Sequence, residues 1–346
     1  MAYSTIDKST SYFDTVLWSS QDTSIDTLNF QPDWAWIKSR TNTDSHVAFD
    51  SIRGANKRLS PSSNAVESTT SDELTAFNSD GYTLGTGDNV NRASNNYVSW
   101  NWKAGTTSVP SGGSITPSAV SISTTSGFGI YTYTGTGSAP STIAHGLGGT
   151  PDAVIIKSRT QTPSWIVWYN GFNGRTRWSM DSSNAASTTQ TNFFNDTPPT
   201  STLITLGTDS DTNASGQNYV MYVFKNIKGY CKIGTITGNG LTDGPFIYTG
   251  FKPSFIMTKK IGGTGDWLIR DIKRDFNGQW RDLYANNNNA ETSPDSNTES
   301  DIYSNGFKLR MSHTNHNESG ATYMFMSFAA EPLVANVGSS IPSTAR

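Results

Sequence analysis

One cysteine, Cys231, occurs among 346 residues, so no intramolecular disulfide forms and a zinc site built on paired cysteines is excluded. It reads as a small buried apolar side chain. Charge is scarce too: 15% of residues are Asp, Glu, Lys or Arg, against about 25% in an ordinary soluble protein. The formal net charge of −3 leaves no basic field for nucleic acid or anionic lipid. No apolar run approaches the ~20 residues a membrane helix needs, so no membrane insertion is expected. Met1–Thr5 offers neither a basic nor an apolar leader, and Sec export is not expected. The Ala, Glu, Lys, Leu and Arg of helical bundles are thin. What is abundant is aromatic: 10 Trp, 14 Tyr and 16 Phe, too many for a disordered chain. With 31 Gly, 14 Pro and many Ser, Thr and Asn, this is the composition of an all-β protein.

The chain repeats itself. Pro32-Asp33-Trp34-Ala35-Trp36-Ile37-Lys38 returns as Pro151-Asp152-Ala153-Val154-Ile155-Ile156-Lys157, and more loosely as Pro253-Ser254-Phe255-Ile256-Met257-Thr258-Lys259. Each copy ends in an alternating aromatic strand beginning at Tyr97, Tyr219 or Tyr323, which follows the lysine by 59, 62 or 64 residues. Asn64-Ala65, Asn184-Ala185 and Asn289-Ala290 fall between these landmarks in the same order. Units of about 100 residues are the size of small domains, not of solenoid repeats. Short alternating runs punctuated by Gly, Asn, Asp, Ser and Pro indicate sandwiches.

The fold expected is therefore all-β, three tandem antiparallel β-sandwich domains of jelly-roll or lectin type. Their limits are 1–103, 115–228 and 229–334, with a Gly/Ser/Pro linker at 104–114 and a small polar tail at 335–346. The absence of a spacer before Gly229 implies that the second and third units pack together. The proline-led run is apolar throughout, as for a strand covered on both faces. In the last strand of the first unit, Val98, Trp100 and Trp102 share one face, and Tyr97, Ser99 and Asn101 the other. Ser71-Asp72-Glu73-Leu74 is the one hint of a helical turn.

Several motifs resemble the repeated β-sandwich domains found in virion structural proteins of marine phages, including cyanophages. They are Gln31-Pro32-Asp33-Trp34-Ala35-Trp36-Ile37-Lys38, Phe49-Asp50-Ser51-Ile52-Arg53-Gly54, Ser79-Asp80-Gly81-Tyr82-Thr83-Leu84-Gly85 and Tyr97-Val98-Ser99-Trp100-Asn101-Trp102. Later carriers are Ala144-His145-Gly146-Leu147-Gly148, Ser304-Asn305-Gly306-Phe307-Lys308-Leu309-Arg310 and Phe328-Ala329-Ala330-Glu331; the resemblance spans residues 12–334. It implies a concanavalin- or jelly-roll-like sandwich in tail fibres or other surface parts of a virion, assembled in the bacterial cytoplasm. It brings no catalytic residues.

Candidate sites come from the repeat alignment. His46, Trp165 and Trp267 each stand eight residues after the shared lysine. A Trp there either packs between sheets or stacks on a sugar; the histidine in one copy leans toward the surface. The loop before the last strand is polar in each unit. Asp209, Asp211 and Asn213 form a string like the start of a calcium loop, without the glycine and terminal acid of an EF-hand, so a solvated turn is the leading reading. His313 and His316 offer two ligands to a transition metal and no third. No resident cofactor or metal is expected. Asp271 and Asp275, the spacing of a candidate carboxylate pair, read as surface charges, as do Arg53, Lys57, Arg58, Lys273 and Arg274. No nucleophile elbow, phosphate loop or zinc-protease motif is present, so no enzymatic activity is expected.

Two functions follow. The first is a tail-fibre or adhesin-like module that recognises host-surface glycan. The alternative is a capsid decoration, head-fibre or connector protein with a purely structural role. Partners in either case are other virion proteins, with a homo-oligomer, such as a trimer, expected by analogy.

Overall fold

A computed structural model describes residues 4–20, 22–274, 281–292 and 300–332. The fold is all-β and antiparallel, and one strand plan occurs three times. The first large sheet runs, edge to edge, Phe13–Ser19, Asn96–Trp102, Trp34–Ser39 and Val47–Asp50. Phe128–Thr134, Asn218–Phe224, Ala153–Ser158 and Ile166–Tyr169 stand in the same order in the second, beyond an added edge strand, Ala119–Ser123. The third repeats it with Cys231–Thr237, Thr322–Pro332, Phe251–Lys260 and Leu268–Asp271, and adds Leu283–Tyr284. A smaller sheet covers one face of each. It holds Ser24–Ile25, Gly81–Leu84 and Leu74–Asn78 in the first repeat, and Ser141–Ala144 and Leu203–Leu206 in the second. In the third it holds Phe246–Tyr248, Gly306–Leu309 and Ser300–Tyr303.

The proline-led strands are interior to their sheets, and Trp34–Ser39 and Ala153–Ser158 are buried at every residue. Pro32 and Pro151 lie outside their strands; Pro253 falls inside, where a bulge accommodates its missing N–H. Ser71–Glu73 bend and Leu74 begins a strand, so the helical turn expected there is not formed.

Strand alternation divides the core. Ala35, Ile37 and Tyr97 face the first repeat's own small sheet, in a cluster with Ile25, Tyr82 and Leu84. Trp34, Trp36, Val98, Trp100 and Trp102 point the other way, into a cluster that gathers residues of all three repeats. Each large sheet thus turns its back on a shared centre. There the equivalent rings Trp102, Phe224 and Phe328 touch one another, with centroids 6.4, 5.9 and 5.6 Å apart. Trp34 stacks on Tyr222 at 4.4 Å, and Phe13 on Phe328 at 5.0 Å. The units are not beads on a string: the first packs on the second and the third, closing a ring about a pseudo-threefold centre.

The stretch 104–114, expected as a linker, is also ordered. Thr106 bridges to Ile122, and Ile115 just beyond it bridges to Ile143 of the small sheet. This segment crosses the open edge of the second sandwich and closes it. The tail 335–346 lies outside the described residues.

Candidate functional site

Each seam of the ring is built from the same positions. In the first, Trp165 of the second repeat donates from Nε1 to the Ser60 and Ser63 carbonyls of the first, at 2.9 and 3.1 Å. Lys157 donates to the Asn64 carbonyl at 3.2 Å. Trp267 and Lys259 do the same across the second seam, to Ser179 (3.0 Å) and to Ser183 and Asn184 (3.1 and 3.0 Å). His46 occupies the position in the third seam, beside the Tyr284 backbone, and accepts from Trp36 Nε1 at 2.9 Å. All three of His46, Trp165 and Trp267 are 0% exposed. Glycan stacking on the two Trp rings is therefore corrected: their faces are in the core and their N–H groups fasten one repeat to the next. Burial holds the His46 imidazole neutral, with its pKa well below the ordinary value, and pulls Lys38, Lys157 and Lys259 down to about 8.

Two seams carry a buried ionic lock. In the first, Asp50 takes the Tyr222 hydroxyl (2.7 Å) and the Arg53 guanidinium (2.5 Å). Arg53 reaches on to Glu67 at 3.0 Å, and Glu67 pairs with Arg159 across the seam at 2.8 Å. The third seam repeats this with Asp271, Trp100, Arg274, Glu291 and Arg40; Trp100 Nε1 donates to Asp271 at 3.0 Å and Arg40 pairs with Glu291 at 2.9 Å. Arg53, Arg274 and Asp271, expected on solvated faces, are thus interior. Asp275 lies outside the described residues. Sequence reasoning missed the lock although its signal was present: Asp-x-x-Arg occurs at Asp50–Arg53 and again at Asp271–Arg274, at matching positions of two repeats.

The polar loops also serve the scaffold. Each forms one helical turn: Asp88–Asn91, Ser210–Asn213 or Thr314–Asn317. Asp209 caps the second, accepting from Asp211 N–H, and its other oxygen takes Asn192. His313 caps the third in the same way, through Asn315 N–H. Asn213 is buried and donates to the Ser138 and Gly207 carbonyls at 2.9 and 2.7 Å, accepting from Thr136 N–H at 2.8 Å. Asn91 and Asn317 hold the equivalent places, and a tyrosine six residues later, Tyr97, Tyr219 or Tyr323, donates back to the turn. The loops differ in sequence because Gly87, Asp209 and His313 all suit an N-cap; the constant Asn and Tyr do the fastening. Asp211, its carboxyl pushed up by burial and by neighbouring Asp209, lies 3.7 Å from Arg177. His316 is buried against His313, ring centroids 5.5 Å apart. Among the described residues no three His, Cys, Asp or Glu stand together as a metal site.

The second seam is different. Where the others have Asp, Arg and Glu, it has Tyr169, Phe172 and Ala186, and Met326 stands where Tyr222 and Trp100 stand. The backbone contact survives, Ala186 N–H to Ile261 O at 2.9 Å. Without the long ionic side chains a cleft of about 650 Å³ remains on the outside. The largely buried rings of Tyr169 and Phe172 back it, Thr188, Ser319 and Thr322 offer hydroxyls, and an ion pair between Lys260 and Glu318 crosses the rim. Burial pushes the Tyr169 phenol up to about 12, so it remains a neutral donor. Gly171, Gly262 and Gly320 also line it, leaving backbone uncovered. This mixture suits an uncharged, hydroxyl-rich ligand at an interface between units. None of the residues singled out in the sequence lines it; Asp211 borders a second cleft, of about 530 Å³, beside Thr160 and Gln161.

No curated protein and no solved structure matches the chain. Residues 8–332 match as one continuous unit that takes in all three repeats, and by that match the chain belongs to the family described as a domain of unknown function, DUF7483.

Proposed function

We propose that the protein is a non-enzymatic surface module of a phage virion that recognises host-surface glycan at the cleft of the second seam. The observation that carries this reading is the cleft itself, a recess of about 650 Å³ with hydroxyl groups, exposed backbone and one ion pair, backed by the largely buried rings of Tyr169 and Phe172. Saccharides bind through such combinations, because their rings have apolar faces and their edges carry hydroxyls. The resemblance of its motifs to those of marine-phage virion proteins supports a place on the particle, and a ring fastened without disulfides suits a part assembled in the cytoplasm. Other virion proteins are its neighbours in this reading. A decoration or connector role would need an apolar face toward those neighbours. Exposed apolar side chains occur in the third repeat at Leu241, Phe246 and Tyr248, but Phe246 packs edge-on against Tyr303 and Lys232 lies over the Tyr248 ring.

The test is a glycan array probed with the purified protein and with Thr188→Trp, which fills the cleft from its rim. Saturable retention on a subset of glycans, reduced at least roughly tenfold by the substitution, is expected. Retention unchanged by Thr188→Trp would move the site elsewhere, and no retention on any glycan would defeat the reading. Gold-labelled antibody on intact particles then locates the chain, with label expected on the tail.

A further inference from the structure

The small sheets cover the three sandwiches in one register, yet their outer faces differ in kind. Ile25 pairs with Tyr82, Ile143 with Ile204 and Ile247 with Phe307, and all six are buried. One place along, where alternation turns side chains outward, Ser24 stands beside Thr83 in the first repeat and Thr142 beside Thr205 in the second. The third has Phe246 beside Lys308. The position after the buried isoleucine holds Asp26, Ala144 or Tyr248. On the third strand Asn78, opposite Gly81, is answered by Tyr303, opposite Gly306. Two repeats fold with small or polar side chains at these places, so the sandwich does not require rings there. Phe246 and Tyr248 are nonetheless 45 and 50% exposed.

The rings are also held in place. A Cβ at Gly306 would come within 2.9 Å of Phe246 Cζ, so the bare glycine lets the phenyl ring lie across it and meet Tyr303 edge-on at 5.8 Å. Lys232 donates to the Tyr248 carbonyl at 2.8 Å and lies 5.4 Å from the centre of the Tyr248 ring. Beside both rings runs a groove of about 260 Å³, whose other wall carries the exposed Thr235 and Thr237. On the side away from the groove, Lys308 and Arg310 reach the same oxygen of Asp243, at 2.8 and 2.9 Å, and Arg310 pairs with Asp301 at 2.6 Å. The Asp243 side chain is 76% exposed. A single open carboxylate between two cations marks where an anion sits and is readily exchanged for an external one. We propose that this face binds an acidic saccharide: a sugar ring stacks on Phe246 and Tyr248, its hydroxyls meet Thr235 and Thr237, and its acid group takes the place of Asp243 beside Lys308 and Arg310. A protein partner calls for a continuous apolar face, whereas each ring here is bordered by charge. A ligand with an apolar face, a hydroxylated edge and an acid group matches that alternation. The face shares no lining residue with the cleft of the second seam, and the inference does not depend on that cleft.

Isothermal titration of the full chain with galacturonate and chondroitin sulfate hexasaccharides, and with maltohexaose as the neutral control, tests the assignment. At least one acidic hexasaccharide is expected to bind saturably, roughly tenfold more tightly than maltohexaose, and to lose about tenfold when Phe246→Ala and Tyr248→Ala are combined. Lys308→Met is expected to weaken it several-fold and to flatten its dependence on salt. Thr188→Trp, which fills the cleft of the second seam, is expected to leave the titration unchanged. The substituted side chains are at the surface, so unchanged melts certify the fold. Binding lost in Thr188→Trp but kept in the double variant would move the acidic ligand to the cleft and overturn the inference. So would equal binding of maltohexaose, or no saturable binding of either acidic hexasaccharide. A change from oligomer to monomer in the double variant, read by sedimentation, would assign the rings to a second copy and overturn it too. Failure of the glycan array at the cleft leaves each of these expectations standing.

Discussion

Three seams join the same faces of the same repeated unit, yet two are locked by buried ions and one by rings. The first and third bury Asp50, Arg53 and Glu67, or Asp271, Arg274 and Glu291, where side-chain exposure of the arginines is 0 and 1%. The second places Tyr169, Phe172 and Ala186 there and keeps the backbone contact. A buried ion pair gains little over a well-packed apolar group, because desolvation offsets most of its Coulombic attraction. What it adds is penalty for mispairing: an unmatched guanidinium in the core is strongly unfavourable. Ionic seams specify which repeats meet, and the apolar seam, free of long side chains, leaves room for a cleft.

The sharpest way to break this comparison is to remove one member of a lock. Arg274→Leu leaves Asp271 buried without its cation, while Glu291 keeps Arg40, and is expected to cost about 3–5 kcal/mol, read from the urea midpoint. Transplanting the apolar seam into the first one, Asp50→Tyr, Arg53→Phe, Glu67→Ala and Tyr222→Met together, is expected to restore most of the loss seen with Arg53→Leu alone. A single substitution as mild as the full transplant would mean that the locks do not define the seams.

The next effect concerns what all repeats share. Asn213→Ala removes a side chain that joins the turn to the Ser138 and Gly207 carbonyls and to Thr136 N–H. Leaving those groups unpaired in the interior is expected to lower stability by about 2–3 kcal/mol, with similar losses for Asn91→Ala and Asn317→Ala in thermal melts. Widely unequal losses would show that the three turns are not equivalent fasteners.

These substitutions also mark what was readable in the sequence. The proline-led run announced an interior strand, and alternation in Tyr97–Trp102 assigned its two faces correctly, because both follow from local periodicity. The repeat register followed from ordered landmarks. What periodicity lacks is a second body: it says that Trp100 and Trp102 leave their own sandwich, not that two other repeats receive them. For the same reason Trp165 and Trp267 looked available to a ligand, and Arg53 and Arg274 looked solvated. The Gly/Ser/Pro stretch 104–114 read as a linker on composition, and the bridge of Thr106 to Ile122 that ties it to the second repeat is made by backbone, which composition does not report. The cleft was illegible because it arises from substitutions in one repeat relative to the others, Tyr169, Phe172 and Ala186, whose meaning appears only once the seams are superimposed.

A smaller effect separates the third seam by pH. Unfolded, a histidine takes up a proton near pH 6.5; folded, burial keeps His46 neutral well below that. Between those values the unfolded chain binds more protons, so stability falls as pH drops below about 6.5, by up to about 1.4 kcal/mol per pH unit for each such ring. His316 contributes in the same direction. His46→Gln keeps an acceptor for Trp36 and is expected to flatten the acid limb of the urea midpoint against pH by one ring's share. An unaltered limb would place the acid sensitivity outside this seam.

The smallest expected change in stability lies at the second seam, and it isolates the cleft. Lys260 and Glu318 cross its rim with side-chain exposures of 15 and 44%. An ion pair this open to water is worth under about 1 kcal/mol, so Lys260→Met should shift the melting temperature little. The same substitution removes the charged hydrogen-bond donor among the described residues lining the recess, and a glycan held there would lose that contact. Binding is therefore expected to weaken several-fold while the melt stays in place, the opposite ranking to Arg274→Leu, which should lower stability far more than it alters the cleft. A loss of stability as large as that of the ionic seams would make Lys260 a third lock, and the cleft merely the space beside it.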